Sequence, residues 1–236
     1  DDTILFHGPP SSAAEPAAGG ASPAPTAPLD EPAVDDDAEP ELPPAIGDVD
    51  VFDRALPTLA TVTTDGPGGL RGGSAVFIAD DLVATCRHLF DDATSASLTF
   101  PDARERVEAL TIVAENTALD LAIVRLIRPE HARPARLPVE DAPSAQRVIV
   151  IGDPLGLGPT LTAAAMDAPA SPVSFAKAIA PTDAMLGSPV FDERGQLIGI
   201  VTRPDEPAIV DAAHIAATNA TPLVKPRSVA NEPKTR

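Results

Sequence analysis

From about residue 50 onward the chain is written in short apolar runs separated by turn residues. Runs of this kind lie at Leu59–Thr63, Ser74–Ile78, Leu82–Thr85, Ser97–Phe100, Val107–Val113, Leu121–Leu126, Val148–Ile151, Leu161–Ala165, Pro189–Phe191, Leu197–Thr202 and Ala208–Val210. Most are rich in aliphatic or β-branched residues and have Gly, Pro, Asp or Asn nearby, a spacing that predicts an all-β sandwich or barrel. No sustained helical period is visible, so helix is expected only as short turns near His88 and over Glu130–Arg136. The Pro/Ala/Arg-rich stretch Pro129–Pro143 reads as a connection between two halves. Ahead of residue 48 the apolar rhythm is missing. Pro9–Pro44 is Pro, Ala, Ser, Gly and acid, and no Lys or Arg precedes Arg54. Such a segment buries too little apolar surface to offset its ordering entropy, so residues 1–48 are expected to be a disordered acidic leader.

Composition narrows the function classes. The 236 residues carry a net charge of -18, which disfavours nucleic acid and anionic membrane surfaces as partners. There is no Trp, no Tyr and only seven Phe. The core must therefore be aliphatic, and base stacking on aromatic side chains is essentially absent from the repertoire. A single cysteine, Cys86, rules out an intrachain disulfide. No apolar run approaches the roughly 20 residues of a membrane-spanning helix, and no signal-peptide pattern is present. The chain opens on Asp1 rather than Met, which suits a processed form or a fragment.

Several residue groups carry possible chemistry. Cys86 stands two residues before His88, so a cysteine–histidine pair is conceivable, but its place at the end of an apolar strand favours a buried, inert thiol. His7, His131 and His214 have no partners at metal-ligand spacing, so no metal site and no cofactor is expected. Gly152–Gly158 is glycine-rich but matches neither a P-loop nor a dinucleotide fingerprint, and reads as a turn. Asp35-Asp36-Asp37 reads as part of a solvated linker, with cation binding as the alternative, and Ile4-Leu5-Phe6 as an anchor or the remnant of a preceding domain.

Four segments in order carry a family resemblance. Gly73-Ser74-Ala75-Val76-Phe77-Ile78 with Leu82-Val83-Ala84-Thr85-Cys86-Arg87-His88 resembles the strand pair that delivers the catalytic histidine of trypsin-like serine proteases, in the flavour of the bacterial HtrA-type group. Leu119-Asp120-Leu121-Ala122-Ile123-Val124-Arg125-Leu126 resembles the aspartate segment. Val148–Gly158 resembles the strand and glycine-rich turn of the second barrel. Thr182-Asp183-Ala184 and Gly187-Ser188-Pro189-Val190-Phe191 resemble the nucleophile loop and the strand beyond it. The resemblance covers roughly residues 55–225. It implies two packed antiparallel six-stranded Greek-key β-barrels: 49–135 with His88 and Asp120, 136–228 with the nucleophile loop at 183–190, and a polar tail at 229–236. By the same analogy the protein is expected outside the cytoplasm: secreted, periplasmic or in the cell envelope.

The resemblance makes His88 the general base and Asp120 the residue that orients its ring. The loop departs from the family pattern Gly-Asn/Asp-Ser-Gly-Gly/Ser-Pro. Counting back from Pro189, Ser188 and Gly187 match, but Leu186 stands at the serine, Met185 at the polar residue and Ala184 at the glycine. Leucine has no lone pair to attack a carbonyl, and Ala184 disfavours the backbone angles that an oxyanion loop asks of glycine. The expectation is a catalytically inactive trypsin-like domain that binds a peptide or partner protein in the cleft between its barrels, by strand addition. The alternative is an active serine endopeptidase with Ser188 as displaced nucleophile, His88 as base and Asp120 as orienter; Ser171 and Ser174 are remoter candidates.

Overall fold

The structure, a computed structural model, describes residues 44–101, 106–108, 110–138, 147–153, 157–165, 179–203 and 208–229. Elements run in the order α1 (Asp48–Ala55), β1 (Leu59–Asp65), β2 (Arg71–Ala79), β3 (Leu82–Cys86), β4 (Ser95–Thr99), β5 (Arg106–Val107), β6 (Leu110–Asn116), β7 (Leu121–Arg125), β8 (Arg147–Gly152), β9 (Thr160–Ala165), β10 (Pro189–Asp192), β11 (Leu197–Thr202), β12 (Ala208–Asp211), α2 (Ala212–Asn219) and β13 (Arg227–Val229). Among the described residues, no helix is long and apolar enough to cross a membrane.

The strands form two antiparallel sheets, one in the order β13-β6-β7-β3-β2-β1-β4-β5 and the other β12-β11-β10-β8-β9. Alternate side chains point to opposite faces of a strand, and here both faces are covered. Val148 and Val150 of β8 pack in one apolar cluster with Val62, Phe77 and Val124. Their neighbours Ile149 and Ile151 pack in another with Val76, Ala84 and Ile123. Burial on both faces is why these strands read as continuous apolar runs rather than alternating ones. Each cluster draws on both sheets, so the sheets are packed together by aliphatic side chains, as a chain without Trp or Tyr requires.

The all-β, two-sheet reading holds, with differences in detail. The described sheets have eight and five strands, against six apiece expected. The run Val107–Val113 is not one strand: Arg106–Val107 pairs with β4, whereas Leu110–Asn116 pairs with β7. Two eight-residue helices form where no helical period was legible. Helix α1 buries only Val51 and Ala55, a stripe too narrow to stand out. Helix α2 is capped by Asp211, whose side chain accepts the His214 amide. Residues 44–48, at the end of the expected leader, are described; Ile46 donates to the Glu193 carbonyl at 2.8 Å, and Asp48 opens α1. Near the other end, Arg227–Val229 returns to pair with β6 of the larger sheet. The leader up to residue 43 and the tail from 230 lie outside the described residues.

Candidate functional site

The register of β3 against β7 brings His88 and Asp120 together. Cys86 pairs with Leu121 at the last rung. One step on, the Arg87 amide donates to the Asp120 carbonyl at 2.9 Å. His88 then lies in a 3-10 turn, Arg87–Phe90, that closes β3. On the opposing chain a tight turn returns β6 to β7, with the Asp120 amide donating to the Thr117 carbonyl and Leu119 to the Asn116 side chain. Asp120 itself takes a left-handed backbone, φ 51°, a conformation that Asp tolerates better than most residues.

The carboxylate is buried, 3% exposed, and accepts three N–H groups. Oδ1 accepts the His88 amide at 2.8 Å. Oδ2 lies 2.6 Å from His88 Nδ1 and accepts the Arg203 amide at 3.1 Å. With Nδ1–H donating to the carboxylate, the neutral imidazole has its free lone pair on Nε2. The His88 side chain is about one-third exposed, so the pair has the form of a base held by a buried anion.

Cys86 lies beneath this pair. Its Sγ is within hydrogen-bond reach of the Val201 carbonyl, 3.4 Å, on the other sheet. Burial, and then the negative charge of Asp120, pushes the thiol well above its ordinary pKa. It is a neutral spacer and not an activated nucleophile. The ligand atoms of Cys86, His88 and Asp120 lie within 4.8 Å of one another. Both Asp120 oxygens already accept N–H donors, however, so the trio is built as a hydrogen-bonded joint.

The loop expected to carry a nucleophile is wound into a 3-10 turn, Asp183–Met185. Met185 donates to the Thr182 carbonyl at 2.9 Å and Leu186 to the Asp183 carbonyl at 3.3 Å. The Leu186 amide, one of the two N–H groups an oxyanion hole would need, is thereby committed within the loop. Ala184 lies in this turn without a positive φ. The Leu186 side chain is 8% exposed, packed at the edge of the first cluster, and its carbonyl accepts the Ser74 amide at 2.9 Å. Gly187 has φ 79°, and a Cβ there would sit 1.9 Å from the Ser74 carbonyl oxygen, so no other residue fits without moving β2.

Ser188 is 1% exposed, and its hydroxyl donates to Ser74 Oγ at 3.3 Å. Ser74 Oγ in turn accepts the Asp153 amide at 3.1 Å. The Ser188 hydroxyl thus belongs to a buried network under Gly152, where an added Cβ would come within 2.0 Å of it. Ser171, Ser174 and His7 lie outside the described residues. His131 packs edge-on to Phe100, and His214 Nδ1 is 2.6 Å from the Asp211 carboxylate that caps α2. Sequence reading missed the contribution of Arg203. Its backbone amide holds Asp120, and its guanidinium pairs with Asp183 at 2.6 Å, tying the loop to the chain after β11. A backbone donor leaves no signature in the sequence.

Comparison with known proteins agrees with this geometry. Residues 73–200, more than half of the chain, match the model of the trypsin-like peptidase domain. No curated protein matches. Among solved structures, an inactive mutant of the Rv3671c protease from M. tuberculosis H37Rv is 19% identical, with a TM-score of 0.55 over 72% of this chain and 90% of that one. The HtrA-type protease AlgW with a tripeptide is 19% identical, with a TM-score of 0.59 over 73% of this chain and 62% of that one. A serine endoprotease from Yersinia pestis is 20% identical, with a TM-score of 0.59 over 75% of this chain and 65% of that one. The match thus spans a little under two thirds of the last two proteins.

Proposed function

The chain belongs to the trypsin-like peptidase domain family, and from that premise we propose that it is a non-catalytic member, one that keeps a cleft for an extended peptide or protein segment. The observation that carries this reading is the residue at the serine position: Leu186, which has no nucleophilic atom and whose amide is bound within its own loop. A base and its orienting carboxylate do not cleave peptides at enzymatic rates without a group to attack the carbonyl. The Ser188 hydroxyl supports the same reading, since it is buried and engaged with Ser74. Binding would use the backbone: β9 and β12 are the outer strands of the smaller sheet among the described residues, and an extended segment adds to such an edge through main-chain hydrogen bonds.

The test is labelling with a fluorophosphonate probe, with His88→Ala as control and mass spectrometry to map any adduct. The expected outcome is no adduct on folded protein. An adduct on Ser188 that disappears in His88→Ala would overturn the proposal and make the chain an active serine peptidase. Extended peptides immobilised as an array then identify the ligand, read against a sample unfolded in denaturant.

A further inference from the structure

A cavity of about 460 Å³ shares no residue with the His88–Asp120 pair or the loop beside it. Four arginines line it, Arg54, Arg133, Arg136 and Arg194, and among the described residues no Asp or Glu does, in a chain whose net charge is -18. We propose that this cavity is a binding site for a compact oxyanion of the phosphate class, such as a phosphate monoester. This goes beyond the reading of the peptidase cleft and stands or falls independently of it.

The site is built on fixed backbone. Arg54 leaves the last turn of α1, and Arg194 lies in the turn between β10 and β11. Arg133 and Arg136 bracket Pro134-Ala135 in the connection that follows β7. That connection is tied down at three places: Arg133 N to the Pro57 carbonyl at 2.8 Å, Ala135 N to the Phe77 carbonyl at 2.8 Å, and Leu197 N to the Arg136 carbonyl at 2.6 Å. The connection therefore touches both sheets and presents two guanidinium-bearing positions three residues apart on a held strap. Pro57 and Pro134 supply rigid walls, and the buried Phe191 lies among the lining residues.

The charge is largely uncompensated. Arg194 is paired with Glu193 at 2.6 Å and with Asp192 at 3.9 Å, and its Nε is buried without an acceptor among the described residues. Among the described residues, the Arg133 guanidinium donates to the carbonyls of Glu130 and Ala132 and to no carboxylate. Among the described residues, no side-chain hydrogen bond or ion pair engages Arg54 or Arg136. Both nearby acids are held to Arg194: Glu193 through Oε1, its Oε2 accepting the Arg147 amide, and Asp192 through Oδ2, its Oδ1 accepting the Arg194 and Gln196 amides. Three arginines thus line one cavity with no carboxylate partner among the described residues. Their planar forks match the geometry of phosphate oxygens.

The surrounding acidity decides the size of the ligand. At physiological ionic strength, charges beyond about 8 Å are largely screened. A compact dianion inside the cavity feels the arginines, whereas an extended acidic peptide or nucleic acid also meets the rest of a strongly acidic surface. The cavity is of the size that holds small ligands.

The test is titration of the full chain with inorganic phosphate by calorimetry, at ionic strength held constant with chloride, beside the Arg54→Gln/Arg136→Gln double variant. Both side chains are exposed, so the variant is expected to fold, and its thermal melt checks this; Arg194→Gln provides a second variant. The expected result is saturable phosphate binding that weakens at least about tenfold in the double variant, as loss of one charge-assisted hydrogen bond alone implies. Binding that chloride reproduces, or that both folded variants retain unchanged, overturns the proposal. Tighter binding of a triglutamate peptide than of phosphate also overturns it, by assigning the arginines to carboxylate recognition.

Discussion

Replacing Leu186 by serine supplies the missing hydroxyl and so separates the nucleophile from the rest of the catalytic apparatus. The loop around it is closed by Leu186 N to Asp183 O and Met185 N to Thr182 O. Unwinding this turn so that the Leu186 amide can face a substrate oxygen gives up both hydrogen bonds, about 1 kcal/mol each. A left-handed backbone at Ala184 adds about 1–2 kcal/mol more, where glycine would add nearly none. A competent loop then lies about 3–4 kcal/mol above the observed one and is populated in fewer than about 1 molecule in 100. Leu186→Ser is therefore expected to react with a fluorophosphonate roughly 100-fold or more slower than a preorganised serine would, and Leu186→Ser/Ala184→Gly to recover about 5–30-fold of that deficit. Truncating this edge-packed leucine costs about 2 kcal/mol, the low end for buried leucines, so the assay runs well below each variant's melting temperature. Equal labelling rates for the single and double variants would show that the backbone of Ala184 is not the obstacle and would refute the reasoning.

Other outcomes follow from the same contacts. Asp120→Ala leaves the amides of His88 and Arg203 without their acceptor, which is expected to cost about 1–3 kcal/mol in urea unfolding; Asp120→Asn, which keeps an acceptor oxygen, should cost less, and equal losses would contradict this account. The Cys86 thiol, buried and held protonated, should resist iodoacetamide at mildly alkaline pH in the native protein and react once the protein is unfolded; native reaction at a free-thiol rate would mean that the end of β3 opens. Burial, with Glu193 adding to it, holds the Asp192 carboxyl above its ordinary range despite the Gln196 and Arg194 amides. It therefore binds its proton more tightly folded than unfolded, a contribution present below the unfolded-state pKa and lost as pH rises through the folded one. Asp192→Asn removes that loss, so the variant should gain on the wild type as pH rises above the ordinary aspartate range, and a difference independent of pH would be inconsistent with the shift.

The parts of the fold that the sequence displays are those whose cause is local. Val148-Ile149-Val150-Ile151 reads as a strand because both faces are covered, one by Val62 and Phe77 and the other by Val76 and Ile123. His88 and Asp120 are legible because the ladder that joins them continues two recognisable strands. Helix α1 escapes because two buried residues in eight make no period, and α2 likewise escapes, its Asp211 cap being visible only in the structure. The division of Arg106–Val107 from Leu110–Asn116 is set by which strand each one pairs with, a non-local choice. The arginine cavity gathers positions as far apart as Arg54 and Arg194, and nothing in the neighbourhood of either announces the other.

The His88–Asp120 pair also has a structural reason to exist, independent of proton transfer. Asp120 receives amides from the turn that ends β3 and from Arg203, just beyond β11 of the smaller sheet. Cys86 makes a parallel link to the Val201 carbonyl, and Ser74 accepts none of this load but donates its own amide to Leu186 on the loop side. The same short region therefore stitches one sheet to the other through backbone groups, and a buried carboxylate with three N–H donors is a strong stitch. The imidazole adds one of those donors from a partly exposed position. Stability thus asks more of Asp120 than of His88, whereas proton transfer would ask for both, so the two demands separate at the histidine.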